Sequence, residues 1–194
     1  IIKPQDIGVL AAAGITNIMV FEKPRVAVLS TGDEIVAPAD EMPLGKIRDI
    51  NTYALANLAR ESGALITYQG LVRDDYRELR EKLASLLDAN HIVVVSGGSS
   101  VGNKDVTARV IDSLGAPGTF VHGVAVKPGK PTIIGRAGRT ALFGLPGHPV
   151  SAMIVFKIFI EYLIKKLNFV ESEETTVAAT AGANIHAAPG KETY

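Results

Sequence analysis

The chain has 194 residues, 47% hydrophobic and 21% charged, an ordinary globular composition that excludes disordered and collagen-like classes. Twenty basic side chains balance twenty acidic ones, so no global field draws the protein to nucleic acid or an anionic membrane, and any anion site has to be local. With no cysteine there is no disulfide framework or thiolate nucleophile, which fits a cytoplasmic protein, and the four histidines, His91, His122, His148 and His186, lack metal-ligand spacing.

Residues 1–23 read as a helical lead-in from a preceding domain, with Pro4 to Asp6 starting a helix and Gly14 ending it. Lys23 and Pro24 mark a boundary. From Arg25 short β-rich runs alternate with amphipathic helices: strands are expected over 25–30, 64–72 and 91–96, and helices over 52–62, 76–87 and 104–114. Tyr76, Leu79, Leu83, Leu86 and Leu87 fall on one helical face, toward a sheet. Right-handed crossovers make that sheet parallel and cover both of its sides. Shorter strands are expected over 120–126, 131–136 and 140–145, followed by a long helix opened by Pro149. Its apolar run, Ser151 to Leu167, is interrupted by Lys157, Glu161 and Lys165 at four-residue spacing, so it reads as a buried or dimer-facing helix and not a membrane span. No signal peptide is visible, and the chain opens at Ile1, as a fragment would. The expectation is an α/β domain over 24–167, three-layered, with a mostly parallel central sheet and helices on both faces. Residues 168–194 read as the truncated start of a small C-terminal β domain.

In an open parallel sheet, ligands sit beyond the carboxyl ends of the strands, so residues that follow strands converge. After the first strand come Thr31, Gly32, Asp33 and Glu34; after the second, Asp74 and Asp75; after the third, the turn "GGSSVG" and then Asp105. Gly97, Gly98 and Gly102 let the backbone approach a ligand, while Ser99, Ser100 and the N–H groups opening the next helix can donate to oxyanions. An ordinary strand-to-helix turn would use the same glycines. A Walker A loop is disfavoured, because Asn103 stands where its lysine belongs. Asp75, three before Glu78, has capping-box spacing and a structural reading, which leaves Asp74 as the functional candidate. Asp105 lies in a first helical turn, where an acid is favoured in any case. Carboxylates beside a phosphate loop repel the substrate unless a hard cation lies between them, and magnesium meets that need.

In "VKPGKP", Lys127 and Lys130 are each followed by proline and ride on a stiff loop suited to a compact dianion; two solvated lysines in a surface turn is the plainer reading. "GLPGHPVSA" adds a helix start whose N–H groups and Ser151 hydroxyl could meet the same anion, with His148 in an N-cap-like position.

Taken in order, "STGDEI", "VRDD", "SGGSSVGNKD", "KPGKP" and "LPGHPVSA" resemble the molybdopterin molybdenumtransferase family, which includes the E domain of gephyrin, over about residues 24–167. The resemblance implies that adenylylated molybdopterin binds with magnesium, that the adenylate is hydrolysed off as AMP, and that molybdate is ligated by the dithiolene sulfurs. Glu34, Asp74 and Asp105 match family acids tied to activity, with Asp74 and Asp105 the candidates for the metal. Gly97, Gly98, Ser99 and Ser100 match the pterin-phosphate and nucleotide loop, and Lys127, Lys130 and Ser151 match positions associated with molybdate. The family usually has Asn where His148 stands and commonly Val where Ser99 stands. The resemblance also implies a homodimer, with the molybdopterin adenylyltransferase as a possible partner protein and no nucleic acid or membrane. The cleft then includes domains outside this chain, so the chain alone is expected to bind without turning over. The rival readings are a molybdopterin adenylyltransferase of the same fold, a dimeric scaffold module, and a metal-dependent phosphohydrolase.

Overall fold

The computed structural model describes residues 2–97, 104–170, 177–184, 187 and 189–194, with the backbone alone at Lys104 and Asp105. In chain order the elements are α1 (Pro4–Ala12), β1 (Arg25–Thr31), β2 (Ile35–Val36), β3 (Ile47–Arg48), α2 (Asn51–Glu61), β4 (Leu65–Val72), α3 (Tyr76–Leu87), β5 (Ile92–Gly97) and α4 (Lys104–Ser113). There follow β6 (Pro117–His122), β7 (Val126–Lys127), β8 (Ile133–Ala137), β9 (Thr140–Leu145), and a helix running as α5 (Pro149–Val155), a π-helical stretch (Phe156–Glu161) and α6 (Tyr162–Leu167), before β10 (Glu192–Thr193).

Val26–Leu29 and Ile92–Val95 are unbroken apolar runs, the pattern of strands covered on both faces. They form the buried centre of a six-stranded sheet in the order β4-β1-β5-β9-β8-β6. Because side chains alternate across a strand, Val26, Val28, Ile92 and Val94 pack on one side with Leu55 and Ala56 of α2, Val155, Phe156, Ile160 and Ile164. Ala27, Leu29, Val93 and Val95 pack on the other side with Leu79 and Leu83 of α3 and Val110 and Ile111 of α4. This is the expected three-layer α/β arrangement.

The sheet is mostly parallel, as expected: β4, β1, β5 and β9 are parallel neighbours, whereas β8 runs antiparallel to both β9 and β6. Only Gly138 and Arg139 separate β8 from β9, a connection far too short for a crossover, so the pair closes as a hairpin. The strand expected over 120–126 is broken at Gly123, whose φ of 95° lies in the left-handed region, giving β6 and β7. The long helix opens at Pro149 as expected but carries the π-helical stretch in its middle. Near the chain's end, β10 pairs in parallel with β7, Glu192 opposite Val126.

Candidate functional site

The sheet's carboxyl edge gathers the candidate residues in strand order. Asp74 follows β4 and Glu34 follows β1, while Gly97 ends β5, Asp105 is the second residue of α4, and Ser151 follows β9. The reversed β8 adds what a purely parallel sheet could not. Ile133, its first residue, lies opposite Gly144 near the end of β9, and His122, the last of β6, lies opposite Ile133. The connection carrying Lys127 and Lys130 is therefore at the same edge as the residues that follow the parallel strands. The strand order puts acids at the β4 and β1 end and lysines at the β8 end, four strand spacings or roughly 19 Å apart. Between them, β1 and β5 form the point where the strand order reverses, the usual place for a ligand in such sheets.

The acidic half is built on a short loop. Ile47 N–H donates to the Glu34 carbonyl at 2.8 Å and Asp49 N–H to the Val36 carbonyl at 2.9 Å, which closes the β2–β3 pair and holds Glu34 at the sheet edge. The Glu34 carboxylate folds back over Gly32, where a Cβ would lie 2.9 Å from Oε2. Lys46 Nζ donates to the Asp33 carbonyl at 2.5 Å, and the Arg48 guanidinium donates to the carbonyls of Ala37, Pro38 and Asp40. Asp74 is half-buried. Burial pushes its carboxyl above the ordinary value, and the charges of Asp33 and Glu34 push it further, while the Thr31 hydroxyl pulls part of the way back. That hydroxyl is buried and meets hydrogen-bond geometry with no described partner, so its effect on Asp74 is one of proximity and not of a formed bond. Asp75 behaves differently: its Oδ1 accepts the N–H groups of Arg77 and Glu78, each at 2.9 Å, and caps α3 as the sequence indicates. Glu78 lies 3.8 Å from Arg73.

Gly98, Ser99, Ser100 and Gly102 lie outside the described residues, as does the side chain of Asp105. Gly97 is described, with a φ of 145° beside Thr31. Lys127 and Lys130 are exposed on a well-braced loop. The Thr132 hydroxyl donates to the Gly129 carbonyl at 2.7 Å, Val124 N–H to the Lys130 carbonyl at 2.9 Å, and Tyr194 N–H to the Lys127 carbonyl at 3.0 Å. Gly129 is pressed against α5, where a Cβ would come within 2.4 Å of Val155 Cγ2. The lysine loop thus rests on the helix that carries Ser151. His148 caps α5 through its backbone, its carbonyl accepting Ala152 N–H at 2.9 Å, and its side chain makes no cap bond.

Sequence reasoning misses the polar cluster beneath the crevice. Asp49 Oδ1 accepts the Ser30 hydroxyl at 3.0 Å and Thr52 N–H at 3.1 Å, and Asn51 Nδ2 donates to Ser96 Oγ and the Gly147 carbonyl. Its one visible signal is three hydrogen-bonding side chains, Asp49, Asn51 and Thr52, at the start of an otherwise apolar helix face.

A family model described as a probable molybdopterin binding domain matches residues 27–166. The chain belongs to this family. Over 97% of its length the domain is 34% identical to a Nostoc protein named molybdopterin molybdenumtransferase, of which it covers 44%. Among solved structures it is similar to the molybdopterin biosynthesis MoeA protein of Pyrococcus horikosii, at 40% identity and a TM-score of 0.78, over 87% of this chain and 41% of that one. A molybdopterin biosynthesis protein of Mycobacterium abscessus, 17% identical with a TM-score of 0.59, shares the fold over 75% of this chain and 97% of its own. The domain spans less than half the length of the curated relatives it matches.

Proposed function

We propose that this molybdopterin-binding domain is the central part of a molybdenum insertase in molybdenum cofactor biosynthesis, with residues 1–23 and 168–194 belonging to adjoining domains. It binds adenylylated molybdopterin, releases AMP by hydrolysis, and presents molybdate to the dithiolene sulfurs. The observation that carries this reading is the polarity of one edge: Glu34 and Asp74 at one end, the Lys127–Lys130 loop at the other, and the turn at Gly97 between them. A nucleotide-linked substrate with a phosphate at its centre and a metal oxyanion at its far end fits such a crevice.

Magnesium fits the acidic half. Asp74 offers a cation one half-buried carboxylate there, and substrate oxygens and water would complete its shell, as magnesium prefers. Asp74 and Asp105 would hold it, and it would neutralise phosphate charge during hydrolysis. Burial and the neighbouring Asp33 and Glu34 charges resist ionisation of Asp74, a resistance that a bound cation relieves. Gly97, with the adjoining Gly98, Ser99, Ser100 and Gly102, cradles the phosphate. Lys127 and Lys130, with the Ser151 hydroxyl, hold the tetrahedral dianion.

The protein acts in the cytoplasm as a homodimer, in sequence with a molybdopterin adenylyltransferase that supplies its substrate. Support for a partner surface comes from Val150 (66% exposed) and Tyr162 (57%) on the last helix. Among the described residues no helix is long and apolar enough to cross a membrane. An adenylyltransferase of the same fold is the second reading. The match to the Nostoc protein, which extends through both flanking segments, weighs for the insertase.

The test is AMP release from adenylylated molybdopterin with magnesium, with and without molybdate, by this chain and by a full-length protein containing it. Molybdate-stimulated release by the full-length protein supports the insertase. Formation of adenylylated molybdopterin from ATP would replace it with the adenylyltransferase.

A further inference from the structure

Asn51 is the first residue of α2, only 7% exposed, and its side-chain amide faces two other segments of the site. Nδ2 donates to Ser96 Oγ at 2.7 Å, one residue before Gly97, and to the Gly147 carbonyl at 2.8 Å, in the turn that leads to Ser151. Ser96 Oγ in turn donates to the Pro146 carbonyl at 3.2 Å. The chain separations are 45 and 96 residues, so this one amide joins pieces brought together only by the fold.

The chemistry selects an amide. An NH2 group has two donors, and both are used here on two acceptors. Turning the amide over would set Oδ1 against the Gly147 carbonyl, acceptor against acceptor, and leave it only the Ser96 hydroxyl, which already donates to the Pro146 carbonyl. In the orientation observed, Oδ1 is buried without a partner among the described residues. A buried unpaired acceptor is unfavourable, so the two donated bonds outweigh it.

We propose that Asn51 is a positioning residue: its amide sets the spacing between the carboxyl end of β5, at Ser96, and the turn that precedes α5. In strand order β5 and β9 are neighbours, between the acidic end of the edge and the lysine loop. Resting on the insertase reading, this predicts that Asn51 governs phosphate and oxyanion binding together although it touches neither ligand. Asn51→Asp replaces both donors with acceptors at nearly constant shape, and Asn51→Ala removes them without adding charge.

The test uses the 194-residue chain and two readouts. Amide hydrogen exchange in Asn51→Ala is expected to speed up about tenfold at Ala152, whose N–H bonds the His148 carbonyl, from the loss of one to two hydrogen bonds. It should stay unchanged at Glu78, capped by Asp75 on the far side of the sheet. Titrations of AMP with magnesium and of molybdate are expected to weaken about tenfold each in both variants, with Asn51→Asp no better than Asn51→Ala. Unchanged exchange at Ala152, or exchange rising equally at Ala152 and Glu78, would overturn the proposal, since the first denies the brace and the second makes Asn51 merely part of global stability. If the unsubstituted chain binds neither AMP nor molybdate, the insertase reading loses its support, while the exchange result still decides the role of Asn51.

Discussion

The Thr31 carbonyl occupies the space that a side chain on Gly97 would need: a Cβ built there falls 1.9 Å from it. The two residues are register partners at the carboxyl ends of β1 and β5, so the acid loop and the glycine turn leave the sheet at near contact. Gly97 also has a φ of 145°, in the region that side chains avoid.

Gly97→Ala therefore meets both strain and a backbone atom that cannot move without breaking the ladder. The expected loss is about 3 kcal/mol, the scale of overpacking combined with a disfavoured φ. Gly138→Ala is the control: its φ is 57°, but nothing lies within 4 Å of a Cβ, so only the conformational cost of about 1 kcal/mol remains. Urea unfolding midpoints of the two variants measure the difference, and equal losses would refute the steric account.

Asp74 gives stability a pH dependence of definite sign. Its folded carboxyl titrates above the ordinary 3.8 because of burial and the charges of Asp33 and Glu34. Between the unfolded and the folded value the native state holds the extra proton, so this group's contribution to stability falls as pH rises through that window and stays lower above it. Asp74→Asn lacks the loss, so the variant should gain on the parent as pH rises from about 3 and level off beyond the folded value. Asp33→Asn should lower the Asp74 titration midpoint seen by carbon NMR. A variant that instead gains on the parent as pH falls would contradict the assignment.

The adjacent acids should separate cleanly. Asp75→Ala removes the N-cap of α3 and is expected to cost about 1 kcal/mol, with little effect on AMP release by the full-length protein. Asp74→Ala should abolish magnesium-dependent release there, with little loss of stability at neutral pH. Paired thermal melts and AMP assays check this, and a reversal of the two phenotypes would exchange their roles.

Among the described residues neither Lys127 nor Lys130 is in an ion pair, and both are exposed. Lys127→Ala should leave stability within about 0.5 kcal/mol of the parent while weakening molybdate binding about tenfold, an effect that shrinks in high salt. Calorimetric titration with molybdate at two ionic strengths reads both quantities. Unaltered affinity would remove the lysine loop from the oxyanion site.

Much of this architecture was legible along the chain because its causes are local. The runs Val26–Leu29 and Ile92–Val95 are apolar on both faces and can only be central strands, and Leu79, Leu83 and Leu86 repeat at helical spacing. Asp75 sits where a cap is required, and the acids Glu34 and Asp74 follow strands. The short Gly138–Arg139 connection likewise fixes the β8–β9 pair locally as a hairpin.

The sequence by itself determined the layers, the central strands and the edge at which the acids and the glycine turn emerge, since burial pattern, capping and turn chemistry act within a few residues. Only the tertiary structure decided that the lysine loop joins that edge, that Thr31 and Gly97 meet, and that Asn51 ties Ser96 to Gly147. Those relationships depend on strand order and direction, which are settled when segments as many as 96 residues apart compete for hydrogen-bond partners and buried surface.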